Sequence, residues 1–226
     1  MNIVLGIGSI ILCFVAVVLM EKFFKKEGLF VWVSIATIMA NILVCKTVNV
    51  LGLVSSLGNI MFASNFLATD IMSEKYGKQY SKKAIILGLM SAIIFVAATQ
   101  IGLVFIPDET DLVQESMQTL FAINLRTSIA SLTMYFISNM LDVWLFDKLK
   151  EKFPEKLWLR NNVATIVANC SENFFFAFLA FVGIMDMGTI LSIAITGSII
   201  EIIIAICDTP FLYWAKNGKN IDMIKE

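Results

Sequence analysis

The run Asn162–Ile184, NVATIVANCSENFFFAFLAFVGI, holds one acid, Glu172, in the middle of otherwise mostly apolar sequence. Its helical length exceeds the roughly 30 Å of a hydrocarbon core, and Glu172 stands ten residues in, roughly 15 Å deep. A second run, Gly188–Leu212, carries Glu201 thirteen residues in, roughly 20 Å from its start. A charge at that depth costs several kcal/mol, and intramembrane acids usually face a bundle interior or a wet cavity. The two runs therefore define a membrane protein with something polar to do inside the bilayer.

Composition agrees. Hydrophobic residues make up 58% of the 226 positions and charged ones 15%, against about 45–50% and 25% in globular chains. The length fits one membrane domain and leaves no room for an ordinary soluble one. A net charge of −1 offers no basic field for direct nucleic-acid binding. The absence of histidine removes His-based metal sites, Ser-His or Cys-His catalysis and the usual proton shuttle near neutral pH. Cys13, Cys45, Cys170 and Cys207 are scattered through apolar runs with no metal-ligand spacing, and read as small packing residues. No cofactor is expected. The first twenty residues lack a charged n-region and a small-x-small cleavage site and are followed by Glu21-Lys22-Phe23-Phe24-Lys25-Lys26, which favours a retained helix over a signal peptide.

Apolar windows bounded by charge predict seven spans: Ile3–Met20, Phe30–Cys45, Leu51–Thr69, Ala84–Ile106, Leu120–Phe146, Asn162–Ile184 and Gly188–Trp214. The second and third are barely separated by Lys46, Asn49 and Gly52. Basic loops stay cytoplasmic. Lys22, Lys25 and Lys26 mark the first loop, Lys75, Lys78, Lys82 and Lys83 the third, and Lys148 to Arg160 the fifth; Lys216, Lys219 and Lys225 mark the tail. Pro107–Gln118 carries four acids and no Lys or Arg, and the sixth loop has only Asp186. The expected orientation is N-terminus outside and C-terminus inside, with Trp144, Trp158, Trp214, Tyr76, Tyr80 and Tyr213 at the cytoplasmic ends. No internal repeat is convincing.

Polar residues form stripes. Asn162, Thr165, Asn169 and Glu172 share one face of the sixth span, and Phe176 continues it beside the run Phe174-Phe175-Phe176. The fifth span shows Asn124, Ser128, Ser131, Tyr135, Ser138 and Asp142, with Arg126 on a neighbouring face. The seventh places Ser198, Glu201 and Asp208 together, with Pro210 freeing a carbonyl one turn back. The third carries Asn59, Ser64, Asn65, Thr69 and Asp70. Each has a plain structural reading as well. Serines glue membrane helices together, Arg126 can pair with Glu172 or Glu201, and Asp70, Asp142 and Asp208 near the cytoplasmic interface can reach headgroups or loop lysines. Two glutamates against one arginine resist that reading best, since one acid then needs a proton, water or a ligand.

Several blocks resemble the queuosine precursor transporter family, also called the vitamin uptake transporter family. They are Phe66-Leu67-Ala68-Thr69-Asp70-Ile71 with Glu74-Lys75-Tyr76-Gly77 and Lys82-Lys83-Ala84; Leu141 to Lys150; Trp158-Leu159-Arg160-Asn161-Asn162 with Thr165, Asn169, Glu172 and Phe181; and Asp208-Thr209-Pro210-Phe211-Leu212-Tyr213. The resemblance implies uptake of a 7-deazaguanine such as preQ0, preQ1 or queuine across the bacterial inner membrane, for tRNA modification salvage. It also implies an all-α integral membrane fold. A six-helix core over residues 30–215, similar to the substrate-binding subunits of energy-coupling-factor transporters, would follow an extra N-terminal helix and loop (1–29) and precede a cytoplasmic tail (216–226). Glu172 stands where the family usually has Asp, and Glu201 where it usually has Lys.

A deazaguanine presents two parallel N–H groups on its amidine edge, spaced for a bidentate carboxylate. Glu172 is expected on that edge, Asn169 on the ring carbonyl, Phe175 or Phe176 stacked on the plane, and Glu201 on a positive substituent such as the aminomethyl group of preQ1. Asn162, Thr165, Arg126, Asp70, Tyr135 and Asp208 complete the expected binding set. Three classes stand side by side: a self-sufficient carrier, proton-linked through one glutamate; a binding subunit for an ATP-driven module docking on Ala36 and Ala40; and an intramembrane enzyme, disfavoured because no Gly-x-Gly-Asp motif is present. A homo-oligomer fits the first or second.

Overall fold

The computed structural model describes residues 2–50, 53–121 and 125–218. Its first helix, α1 (Asn2–Leu43), holds the first two predicted spans as two limbs. They meet at Lys25, the one non-glycine residue with positive φ (55°) among the described residues. Such a backbone costs about 1–3 kcal/mol and persists only where its surroundings hold it. Gly28 lies just beyond, where an added Cβ would run into the Met20 carbonyl, so only glycine lets the second limb start so close to the first.

After α1 the chain departs from expectation. Strands β1 (Thr47–Val50) and β2 (Leu53–Ser56) pair antiparallel, with Thr47 opposite Ser56 and Val50 opposite Leu53. Helix α2 follows at Gly58–Lys75, so the span predicted from Leu51 begins seven residues later and ends six later. The residues before Gly58 are apolar enough to extend a hydropathy window, but runs such as Thr47-Val48-Asn49-Val50 suit a strand better than a helix. At Gly58 a side chain would press on the Ala40 carbonyl and the Val44 backbone, so glycine lets α2 start against the end of α1.

Every residue from Ala63 to Ser73 of α2 is buried, three full turns with no free face. Around it stand α1, α3 (Lys78–Val104), α5 (Leu125–Lys152), α6 (Leu157–Phe181) and α7 (Met187–Asn217). These five are long and apolar enough to cross a membrane; α2, at eighteen residues, is long enough but too polar to face lipid. The outer faces of the five expose Leu5 and Leu12 on α1, Ile86, Met90 and Ile94 on α3, and Ile199 and Ile203 on α7, the side chains of a lipid-facing belt. The fifth span begins at Leu125 and not Leu120, because Gln114–Phe121 forms a separate short helix, α4. Asp186 starts α7, accepting from the Thr189 amide (3.0 Å) and hydroxyl (2.6 Å), which holds its carboxyl below the usual range. Ala36 and Ala40 are buried inside the bundle, so they offer no face to a docking module.

The basic connections come together at one end. Glu74, at the last turn of α2, meets Arg160 Nη2 at 2.5 Å, Lys216 Nζ at 2.9 Å and Lys150 Nζ at 3.0 Å, which ties α2 to α5, α6 and α7. Lys75 bonds Glu21 at 2.6 Å and the Ala215 carbonyl at 3.1 Å, and so adds α1. Arg160 is 1% exposed, so its charge has no water to fall back on. Glu74→Gln should therefore lower stability by about 3–5 kcal/mol, read as the thermal unfolding midpoint in detergent. Lys216→Gln, at a 41% exposed partner, should cost no more than about 1 kcal/mol.

Candidate functional site

At the other end, under the hairpin, the helices enclose a hollow of about 200 Å³. Glu172 and Glu201 both line it, from the later half of α6 and the earlier half of α7. Neighbouring positions on α6 face different helices. Glu172 looks toward α5, where Ser138 Oγ donates to its Oε2 at 2.6 Å. Asn173, about 100° further round the helix, looks toward α7 and donates from Nδ2 to Glu201 Oε2 at 2.6 Å. The same Nδ2 also reaches the Asn169 carbonyl at 3.0 Å. Gly197, one turn before Glu201, makes room: a Cβ there would collide with the Asn173 Oδ1.

The remaining walls mix aromatic edges with small polar groups. Phe176 and Phe62 supply ring surface, Asn59 and Ser131 polar atoms, and Ile193 and Ile200 an apolar floor. Val44 and Ser56, at the two ends of the hairpin, form the rim, and Ser56 Oγ is hydrogen-bonded to the Val44 carbonyl at 3.2 Å. No described residue of the lining carries a positive charge. Two acids, a ring face and a few amide and hydroxyl groups suit a flat guest with N–H donors, and suit a cationic one better than an anionic one.

The predicted set is divided by the fold. Glu172, Glu201 and Phe176 meet in the hollow, while Phe175 is 60% exposed on the outer face. Asn169 is buried beside Asn173, its Oδ1 without a partner among the described residues. Tyr135 lies outside the hollow in a buried chain in which Asn65 Nδ2 donates to Thr37 Oγ1 (3.0 Å) and Thr37 Oγ1 donates to the Tyr135 hydroxyl (3.3 Å). Thr165, Asp70 and Asp208 belong to a separate buried cluster with Asp142, and Asn162 bonds Thr209 Oγ1 at 2.8 Å beside it. Of the two readings of the three aspartates, contact with headgroups or loop lysines is excluded, because all three are turned into the bundle. Asp70, Asp142 and Asp208 are at most 1% exposed, and among the described residues none pairs with a lysine, because Lys75, Lys150 and Lys216 are taken by Glu21 and Glu74. Asn124 and the Arg126 side chain lie outside the described residues.

Asn173 and Gly197 belong to none of the polar stripes. The signal for Asn173 is its position beside Glu172: on a helix packed between two others, one of two adjacent polar residues must face the second neighbour. All four cysteines are free thiols.

Helices too apolar for water surround a polar core, and an acidic hollow sits within the bundle; this is the arrangement of a multi-pass membrane carrier. Comparison with known proteins places it further. The family profile described as "Putative vitamin uptake transporter" matches residues 56–215, from the end of β2 through α7. The chain belongs to that family. It is 36% identical over 208 residues, 91% of each chain, to the "Probable queuosine precursor transporter" of Bacillus subtilis (strain 168). It is 26% identical over 161 residues, 70% of each chain, to the "Queuosine precursor transporter" of Escherichia coli (strain K12). No solved structure matches it.

Gly197→Ala isolates the hollow from the fold. The methyl group meets the far end of the Asn173 side chain, so the stability loss should stay within the value of the one hydrogen bond it disturbs, about 1.5–3 kcal/mol. Turning Asn173 away frees Glu201 from its donor, and uptake of the guest should fall by about tenfold, the value of one charge-assisted hydrogen bond. Unfolding midpoint and initial uptake rate, measured on the same preparation, separate the two effects.

Proposed function

We propose that this chain is a self-sufficient carrier that imports a queuosine precursor, a 7-deazaguanine, across the bacterial inner membrane for tRNA modification. The single observation that carries the reading is the pair Glu172 and Glu201 on the walls of one hollow, in a chain whose relatives are named queuosine precursor transporters. Glu172, steadied by Ser138, takes the amidine edge of the guest through its carboxylate. Phe176 covers the ring plane. The basic end of the bundle lies in the cytoplasm and the hairpin outside, with the hollow in the outer half of the bilayer. The second half of α1 with α2, α3, α5, α6 and α7 forms the transport core of six helical limbs, a plan similar to the binding subunits of energy-coupling-factor transporters. With Ala36 and Ala40 buried, no docking face on that pair supports a subunit that awaits an ATP-driven module.

Glu201 decides which deazaguanine is preferred. PreQ1 carries an aminomethyl cation and preQ0 a neutral nitrile at the same ring position. A carboxylate on the wall of the hollow favours the cation, and its charge contributes about 1.5–3 kcal/mol, a factor of roughly ten to a hundred. In proteoliposomes Glu201→Lys should reduce the preQ1 to preQ0 uptake ratio by at least about tenfold, and Glu172→Gln should reduce uptake of both. An unchanged ratio would reject the assignment of Glu201. Thermal shift with preQ0, preQ1, queuine, guanine and biotin tests the class of guest, since a ligand of the folded form raises its unfolding midpoint. A shift with biotin alone would sink the deazaguanine reading.

A further inference from the structure

One layer beyond the hollow, toward the basic end, three buried carboxyls from three helices gather on one face of α6: Asp70 of α2 and Asp142 of α5 at Thr165, and Asp208 of α7 at Asn161, one turn away. The layering is the same on two helices. On α6 Thr165 stands seven residues from Glu172, and on α7 Asp208 stands seven from Glu201, about 10 Å in both cases. The Glu74 ion pairs lie one further step along, at Arg160 and Lys216.

The cluster holds more acceptors than hydrogens. Thr165 Oγ1 lies 3.1 Å from Asp142 Oδ1 and 3.3 Å from Asp70 Oδ2, yet a hydroxyl has one hydrogen to give. Asp70 and Asp142 therefore compete for the one hydrogen of Thr165, and the carboxyl it does not serve has no other donor among the described residues. Asp70 Oδ1 and Asp142 Oδ2 have no partner among the described residues. A group outside the acids repeats the signal. Asn161, fully buried, donates from Nδ2 to Asp208 Oδ1 at 2.6 Å, and the Oδ1 of the same amide is left without a donor. On the stretch of α6 leading to Glu172, the buried Asn169 Oδ1 is likewise unpartnered.

Among the described residues the surrounding elements bring no compensating charge. The described ionisable groups that face the cluster are its own three carboxyls, one each from α2, α5 and α7. From α6 come the uncharged Thr165 and Asn161, with Arg160 turned to Glu74. Glu21 of α1 is held by Lys75 and Tyr76, and α3 reaches this region of α2 through Ser81, bonded to the Thr69 carbonyl and Ser73. Among the described residues no group of acids has the spacing to hold a metal ion. What satisfies both the missing hydrogens and the excess negative charge is a proton.

We propose that Asp70, Asp142 and Asp208 form a proton-binding site, separate from the guest hollow, through which this carrier couples uptake to proton entry. The proposal rests on the carrier reading of the chain and not on the identity of its guest. Thr165, Asn169 and Glu172 stand at successive turns on one face of α6, which carries polar groups from the aspartate cluster to the hollow.

The test uses the full chain in proteoliposomes, with a guest-free readout first. Infrared difference spectra between acidic and alkaline pH should contain the carbonyl band of a protonated carboxylic acid. That band should persist in Glu172→Gln and be lost in Asp70→Asn and Asp142→Asn. Both Asn variants are isosteric, and either one that folds decides the matter. A band absent from the wild type, or unchanged in the folded Asn variant, overturns the proposal. Transport gives the second readout. An inward acid gradient of about one pH unit should raise accumulation of the deazaguanine by up to about tenfold, one unit being worth about 1.4 kcal/mol. Asp142→Asn should lose that rise while guest exchange without a gradient stays within about threefold of wild type, a loss under about 0.7 kcal/mol. A rise retained in Asp142→Asn, or exchange lost along with it, overturns the coupling role. Should none of the deazaguanines move while the infrared band behaves as expected, the guest assignment fails and the proton site stands.

Discussion

A polar group inside a bilayer has no water to fall back on, and α2 is where this chain meets that constraint most severely. Ser64, Asn65, Thr69, Asp70 and Ser73 follow one another along three turns of the same helix, none more than 4% exposed. No rotation of α2 could hide all five from lipid against a single neighbour. The helix must be surrounded, and the neighbours must bring partners. Trp32 of α1 donates to Ser64, and Thr37 of α1 accepts from Asn65; Ser81 of α3 serves the Thr69 carbonyl and Ser73. The apolar helices can then give their outer faces to lipid, which is why they read so clearly as spans.

Around that axis the two ends of the bundle are built differently. At the basic end Glu74 and Glu21 gather cations from the ends of other helices into short ion pairs, and at the hairpin end the helices part around the acidic hollow. The ion pairs of Glu74 close the bundle at the basic end, and the hollow lies toward the hairpin. Between the Glu74 ion pairs and the hollow sits the aspartate cluster.

Charge is conspicuous in an apolar run, so Glu172 and Glu201 can be paired on depth alone. Asp70, Asp142 and Asp208 are equally conspicuous, but their distance from the loops matches that of a headgroup region and points to the interface. Helical rise gives depth and not the direction a side chain faces. Their burial follows from the enclosure of α2, a property of five helices together. Asn173 is hidden for a related reason: its partner is twenty-eight residues away on α7, and its spacing from Glu172 suggests no shared face.

Hydropathy and charge by themselves determined that the chain crosses a membrane, where its basic loops fall, and that two acids lie deep within apolar runs, because each is a sum over neighbouring residues. The turn at Lys25, the hairpin between α1 and α2, the interior place of α2 and the split of the polar residues into a hollow and an aspartate cluster were decided only in three dimensions. Apolar residues serve a strand as readily as a helix, and an acid's surroundings are supplied by helices remote in the chain. Whether a buried carboxyl holds a guest, a proton or a lysine is a question about contacts, and contacts between helices leave no period in the sequence.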